Sequence, residues 1–177
     1  MSVSKKHIIL IGMPASGKST VGILAAEKLG YRFLDSDDVI VKREGRKLQE
    51  IIDSEGNDKF LQIEENANLT LGYEDEPLVI ATGGSAIYSE KAMLHFRNVG
   101  TIVYLNVPYE TIKERLGDFA LRGVIVPDGF TLKDLYDQRC KICESYADIT
   151  ITEEYNYEIP DAAEALYEAL KNHVNNK

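Results

Sequence analysis

One stretch of this chain has the residue types and the spacing to hold a polyphosphate. Gly12 to Ser19 reads GMPASGKS: a glycine, four residues, then glycine, lysine and serine. Gly12 and Gly17 permit a tight turn that aims backbone N–H groups inward as a concave anion nest, with Ala15 and Ser16 inside the turn. The helix opening near Lys18, with Thr20 in its first turn, points its partially positive end at the same place. Lys18 supplies a mobile charge for terminal phosphates, and the Ser19 hydroxyl is placed to ligate Mg²⁺. A chance glycine turn between a strand and a helix is the plainer reading. Four fixed positions in a strand–loop–helix context weigh against it, so the expected ligand is a nucleoside triphosphate.

Two acids follow at Asp35 and Asp37. Two apart and just past an apolar run, they point to opposite sides if extended, one toward a metal and the other toward an acceptor. A pair of N-terminal caps for the next helix is the alternative, and both readings can hold together. Gly83-Gly84 permits close backbone approach to a ligand, or makes a simple turn. Arg122 sits in a glycine-punctuated loop. It either closes onto a transferring phosphate or stays solvated. Arg139, on the following helix, has the same choice between a substrate contact and a surface ion pair. Cys140 and Cys143 form a lone C-x-x-C within a helical pattern, which suits packing better than zinc or redox chemistry.

Stepping outward, the elements that must hold these groups alternate. His7 to Ile11 is a β-branched run suited to a strand buried on both faces, and Val21, Leu24, Ala25, Lys28 and Leu29 give the helix after it. Further strands are expected at Tyr31–Leu34, Pro77–Thr82, Thr101–Asn106 and Asp148–Thr152. Helices are expected at 39–43, 47–54, 57–71 (stopped by Gly72), 89–96 (capped by Ser89), 108–116, 131–146 and 160–173. Gly117 to Phe130 reads as a mobile loop. Strand–helix alternation at this spacing implies a parallel sheet covered on both faces, with ligands at the strands' C-terminal edges. The phosphate loop, Asp35–Asp37 and Gly83–Gly84 each follow a strand and should converge on one crevice.

With 177 residues, one domain spanning 1–177 is the expectation. The net charge of −9 argues against a nucleic-acid partner, because phosphate-backbone binding rests on Lys and Arg clusters. The interrupted basic run from Lys42 to Arg46 reads as a solvated face. No apolar run is long enough to span a bilayer and no signal-peptide core precedes residue 7, so no membrane partner and a cytoplasmic location are expected.

Several motifs line up beyond the phosphate loop: L-D-S-D, G-x-x-x-F-x-x-I-E-E, A-T-G-G and a late R-x-x-x-x-x-x-A-D. In that order and spacing, over roughly residues 7 to 152, the chain resembles the shikimate kinase family. The resemblance implies a three-layer α/β/α P-loop kinase fold with a five-stranded parallel sheet and a lid at about 117–130. It also implies an acceptor-binding segment at about 36–72, ATP and Mg²⁺ as cofactors, and phosphorylation of a ring hydroxyl.

Residue by residue, the resemblance gives Lys18 to the phosphates, Ser19 and Asp35 to the metal, and Asp37 to the acceptor hydroxyls and their proton. It stacks Arg115 on adenine, makes Arg122 the lid arginine, and sets Arg139 on the substrate carboxylate. Gly83 and Gly84 match the first two of a three-glycine substrate run. Five positions depart from the family pattern. Leu61 stands where a second carboxylate-clamping arginine is expected, and an isobutyl group cannot replace a bidentate charge-assisted contact. Ser85 replaces the third glycine, Gly123 follows the lid arginine where proline is usual, and Lys141 and Cys143 stand beyond Arg139.

The expected function is therefore ATP-dependent phosphorylation of shikimate or a related polyol, a small-molecule hydroxyl acceptor, by a monomer. Two other functions compete. A nucleotide sensor without catalysis has no use for Asp37 as proton acceptor. A nucleoside monophosphate kinase needs several arginines, where 37–71 offers only Arg43 and Arg46. A kinase for a less acidic acceptor would suit Leu61.

Overall fold

Short β-branched and leucine-rich runs become strands here, the three central ones buried on both faces and the two edge strands partly exposed. The computed structural model describes residues 6–117, 124–153 and 158–175. Within them, β1 (His7–Gly12), β2 (Arg32–Asp35), β3 (Leu78–Ala81), β4 (Gly100–Asn106) and β5 (Ile149–Thr152) form one parallel sheet in the order β2-β3-β1-β4-β5. β1 lies at the centre, with Ile9, Leu10 and Ile11 fully buried. At about 1.5–3 kcal/mol per buried aliphatic side chain, this strand alone is a large share of the core.

Alternation along the strands divides that core into two layers. Ile8, Leu10, Val79, Val103 and Leu105 face helices α1 (Lys18–Leu29) and α8 (Ile159–Asn175). Ile9, Ile11, Leu78, Ile80, Ile102 and Tyr104 face the other side. Met93 and Phe96 of α5 (Glu90–Val99) and Cys143 of α7 (Leu132–Tyr146) cover them there. The sheet with helices on both faces is the architecture the alternating pattern implied. Between β2 and β3, helices α2 (Ser36–Glu44), α3 (Leu48–Glu55) and α4 (Asn57–Asn68) build a satellite core on Ile40, Ile51, Phe60 and Ala67. Helix α6 (Tyr109–Leu116) follows β4.

Two local readings need adjustment. The helix expected to stop at Gly72 ends at Asn68, because Thr70 and Leu71 turn their N–H groups to the Ala67 and Asn68 carbonyls and tighten the last turn. The inward face of α1 is built on Gly22 as well as Val21 and Ala25. A Cβ on Gly22 would come 2.6 Å from Phe33 Cε2 and 3.1 Å from Leu10 Cδ1. Gly22→Ala is therefore expected to destabilise by about 1–3 kcal/mol through overpacking. A thermal midpoint equal to wild type would show that Phe33 moves aside freely.

Parallel strands share one C-terminal edge. There β1 runs into the phosphate loop, β2 ends at Asp35, and β3 leads into Thr82-Gly83-Gly84. The lid expectation is only partly covered, since residues 118–123, Arg122 among them, lie outside the described residues.

Candidate active site

The phosphate loop is shaped by backbone conformations that its residues make affordable. Gly12 has φ +156°, Gly17 caps α1 at φ +87°, and Ala15 takes φ +63° without being glycine. A Cβ on Gly12 would meet the Leu105 carbonyl at 2.9 Å, so the loop's entry requires glycine for space as well as torsion. The first intrahelical bond of α1 is Val21 N–H to the Gly17 carbonyl. No side chain caps that end and its first turn holds no acid. The leading N–H groups of α1 are thus left for an anion, which the helix dipole also favours.

Lys18 lies over this end, only 9% exposed, with Nζ donating to the carbonyls of Gly12 (3.1 Å) and Met13 (2.9 Å). Burial lowers its pKa to about 8, against the opposing pull of Asp37. An anion brought beside it reverses that shift, so the ammonium is matched to a phosphate. Ser19 and Asp35 sit together as expected: the Ser19 hydroxyl donates to Asp35 Oδ2 at 2.6 Å. Mg²⁺ on a nucleotide takes one or two protein oxygens and completes its shell with phosphates and water, and this pair fits that need. Among the described residues no group of three His, Cys, Asp or Glu side chains could hold a metal without the nucleotide's help.

Asp35 is extended at the end of β2, but Asp37 has already entered the helix, so the pair takes the cap arrangement. Asp35 caps α2, its Oδ1 accepting the Asp37 N–H at 2.9 Å, and Asp37 lies in the first helical turn. Capping and site placement hold together, because the cap uses Oδ1 of Asp35 and leaves Oδ2 to Ser19. Burial, with the Asp35 carboxylate adding to it, raises Asp37 to about 6. A carboxylate poised there is ionised at neutral pH and basic enough to take a proton from a hydroxyl.

These groups line one cleft of about 520 Å³. Ala15, Gly17, Lys18, Ser19 and Thr20 form its phosphate end, with Asp35, Asp37, Gly84 and Arg139 beyond them. Gly12 and Ser16 support the loop from beneath, both buried. Arg139 is no surface ion pair. It is 1% exposed and gives its guanidinium protons to the Tyr88 hydroxyl (3.1 Å) and to the carbonyls of Gly84 (2.8 Å) and Ile125 (3.1 Å). Among the described residues this buried cation is held by neutral acceptors, which leaves its charge to attract an anion. Tyr88, which orients it, went unnoticed in the sequence.

Gly83 is held by its N–H on the Ser36 hydroxyl (2.9 Å), and a Cβ there would fall 2.2 Å from Glu64 Oε1 and 2.7 Å from Asp37 Oδ1. Glycine is required here for proximity and not as a plain turn. Arg115 stands apart from the cleft, its Nη2 paired with the buried Glu153 at 3.3 Å, while its neighbour Leu116 lines the wall. Leu61 does not line the main cleft either. It borders an adjoining cavity of about 150 Å³ together with Glu64, Ser85 and Tyr88. The cysteines are packed thiols: burial pushes Cys143 up to about 12, and the Tyr104 hydroxyl lies 3.1 Å from Cys140 Sγ.

Glu64 enters the sequence reading only as the first glutamate of the G-x-x-x-F-x-x-I-E-E motif, with no role given to it, although a signal was present. Phe60, Ala67 and Leu71 mark the inward face of α4 and its extension, and Glu64 shares that face as the one acid among them.

Comparison with known proteins agrees with this geometry. The family model described as shikimate kinase matches residues 14–171. A shikimate kinase of Persephonella marina is 37% identical over 150 residues, covering 84% of this chain and 90% of its own. Among solved structures, a shikimate kinase from Acinetobacter baumannii in complex with shikimate superposes with a TM-score of 0.84 at 30% identity, covering 99% of this chain and 96% of its own. The Aquifex aeolicus shikimate kinase gives 0.81 at 28%, over 97% and 99%. The likeness therefore runs through the acid-bearing and arginine-bearing segments as well as the phosphate loop, and the chain belongs to the shikimate kinase family.

Proposed function

We propose that this protein transfers the γ-phosphoryl group of ATP to a ring hydroxyl of shikimate, releasing ADP and a phosphate ester. The observation that carries the proposal is one cleft in which an uncapped helix end and Lys18 face Asp37 and the buried Arg139. The phosphates rest on the first N–H groups of α1 and on Lys18. Ser19 and Asp35 hold Mg²⁺, which when bound neutralises charge on the phosphate oxygens. Asp37 orients the acceptor hydroxyl and takes its proton as the oxygen–phosphorus bond forms and the bond to the ADP oxygen breaks. Arg139 grips the substrate carboxylate, leaving the ring presented to Asp37. Arg115 is assigned to adenine and Arg122 to the transferring phosphate, both on the sequence motif. Two free cysteines suit a reducing compartment, and the cytoplasm is the proposed location.

The test is ADP release from ATP and Mg²⁺ across a panel of cyclic and linear polyols with shikimate among them. Shikimate-dependent turnover is the expected result. Turnover with none of the acceptors would reduce the protein to a nucleotide sensor. A second reading, a less acidic acceptor, draws on Leu61 beside the smaller cavity. Leu61→Arg discriminates between them. If a missing cation limits shikimate binding, the KM for shikimate is expected to fall by about tenfold, the worth of one charge-assisted contact. A KM that rises would favour the less acidic acceptor.

A further inference from the structure

Glu64 is the most conspicuous group in the cleft without a role. It is 2% exposed, and among the described residues no lysine, arginine or histidine pairs with it. Its Oε2 accepts a hydrogen bond from the Ser85 hydroxyl at 2.6 Å, while Oε1 is buried with no partner. Both Glu64 and Ser85 border the main cleft and the smaller cavity beside Leu61. Oε1 packs against Gly83, and Arg139 Nη1 lies 3.0 Å from where a Cβ of Gly84 would be. Glu64 and Arg139 therefore flank two consecutive residues of the acceptor wall.

A buried carboxylate without a cation is costly, and a second carboxylate nearby makes ionising both costlier. Asp37 is that second carboxylate, since its Oδ1 closes on the same face of Gly83, 2.7 Å from where a Cβ would stand. The neutral acid resolves the conflict: Oε2 accepts from Ser85 and Oε1 carries the proton. A carboxylic O–H in a dry site is a strong donor to an anion.

We propose that Glu64 donates a hydrogen bond from Oε1 to the carboxylate of the acceptor, sharing with Arg139 the anion recognition that an arginine at position 61 would supply. This rests on shikimate, or another carboxylated polyol, being the acceptor. The charged surroundings favour the arrangement. Burial raises Glu64 to about 7, and Asp37 of α2 adds to that, against the lowering influence of Ser85, of Arg139 on α7 and of Lys18 on α1. Below pH 7 the side chain is a donor. Above it, Glu64 ionises and repels the substrate carboxylate, so shikimate binding weakens as pH rises.

The experiment is steady-state kinetics with shikimate from pH 6 to 8.5 for wild type, Glu64→Gln and Glu64→Ala. At pH 6.5, Glu64→Ala is expected to raise the KM for shikimate roughly 10–100-fold, the worth of one charge-assisted hydrogen bond, with the change confined to KM. Glu64→Gln retains an N–H donor and is expected to stay within about threefold of wild type. The wild-type KM should climb above pH 7, by as much as about tenfold per pH unit, and that climb should vanish in Glu64→Gln. Asp37, Lys18 and Arg139 are common to all three proteins, so the difference between profiles isolates Glu64. A Glu64→Gln variant as impaired as Glu64→Ala, or one whose KM climbs as wild type does, overturns the proposal. Should Glu64→Ala fail to fold, the wild-type and Glu64→Gln profiles decide between them. Wild type that does not use shikimate removes the proposed function itself, whereas shikimate turnover indifferent to Glu64 removes this inference alone.

Discussion

Lys18→Ala is expected to lower kcat/KM by about 10³-fold or more, the scale seen when a charge that meets a transferring phosphoryl group is removed. The reasoning rests on position. Lys18 is buried at the start of α1, and burial already weakens its hold on its proton, to a pKa of about 8. Such a cation gains most when an anion arrives, and a phosphoryl group spreading charge over its oxygens is the anion placed to arrive. The cost to folding is modest by comparison, because Nζ satisfies only two loop carbonyls, Gly12 and Met13, which water can reach once the stem is gone. Turnover and thermal unfolding measured on the same preparation separate the two effects. Near-normal turnover in a folded variant would remove the loop from the chemistry.

Asp37→Asn is expected to reduce kcat by about 10²-fold or more, because the amide keeps the side chain's shape and cannot take a proton. Its effect on the fold should be opposite in sign to that of an ordinary site mutation. The carboxyl pKa is raised to about 6 by burial and by Asp35, so the folded state prefers the protonated acid. The stability linked to that proton is fully present below about pH 3.8 and is lost as pH rises through 6. At pH 7.5 the neutral asparagine escapes that loss, and the thermal midpoint should be equal or higher. The cap of α2 is unaffected, since Asp35 provides it. An unchanged kcat would leave Asp37 as nothing more than an acid in the first turn of a helix.

Much of this was legible in the chain because it is written in local rules. Short apolar, β-branched runs gave the five strands, while Ser89 announced its helix by capping it, as found; Thr131 caps its helix as well. The spacing of Asp35 and Asp37 leaves an extended pair and a helix cap both open, since two residues' separation cannot tell the two apart, and the structure shows the cap. Arg139 was left undecided between solvent and substrate. Its burial depends on Tyr88 and on the Gly84 and Ile125 carbonyls, 14 to 55 residues away in the chain.

The sequence by itself determined the phosphate-binding end, because a glycine loop opening a helix makes its anion site from backbone groups that are neighbours in the chain. It also determined the parallel sheet that sets this end beside Asp35, Asp37 and Gly83-Gly84. Only the tertiary structure decided the acceptor end, where Glu64, Ser85, Tyr88 and Arg139 meet. They come from a helix, a loop, a short 3₁₀ turn and another helix, and their burial and the charge each can carry depend on those elements packing together. Burial raises the pKa of Glu64 well above the ordinary carboxylate range, and burial is a property of the whole fold.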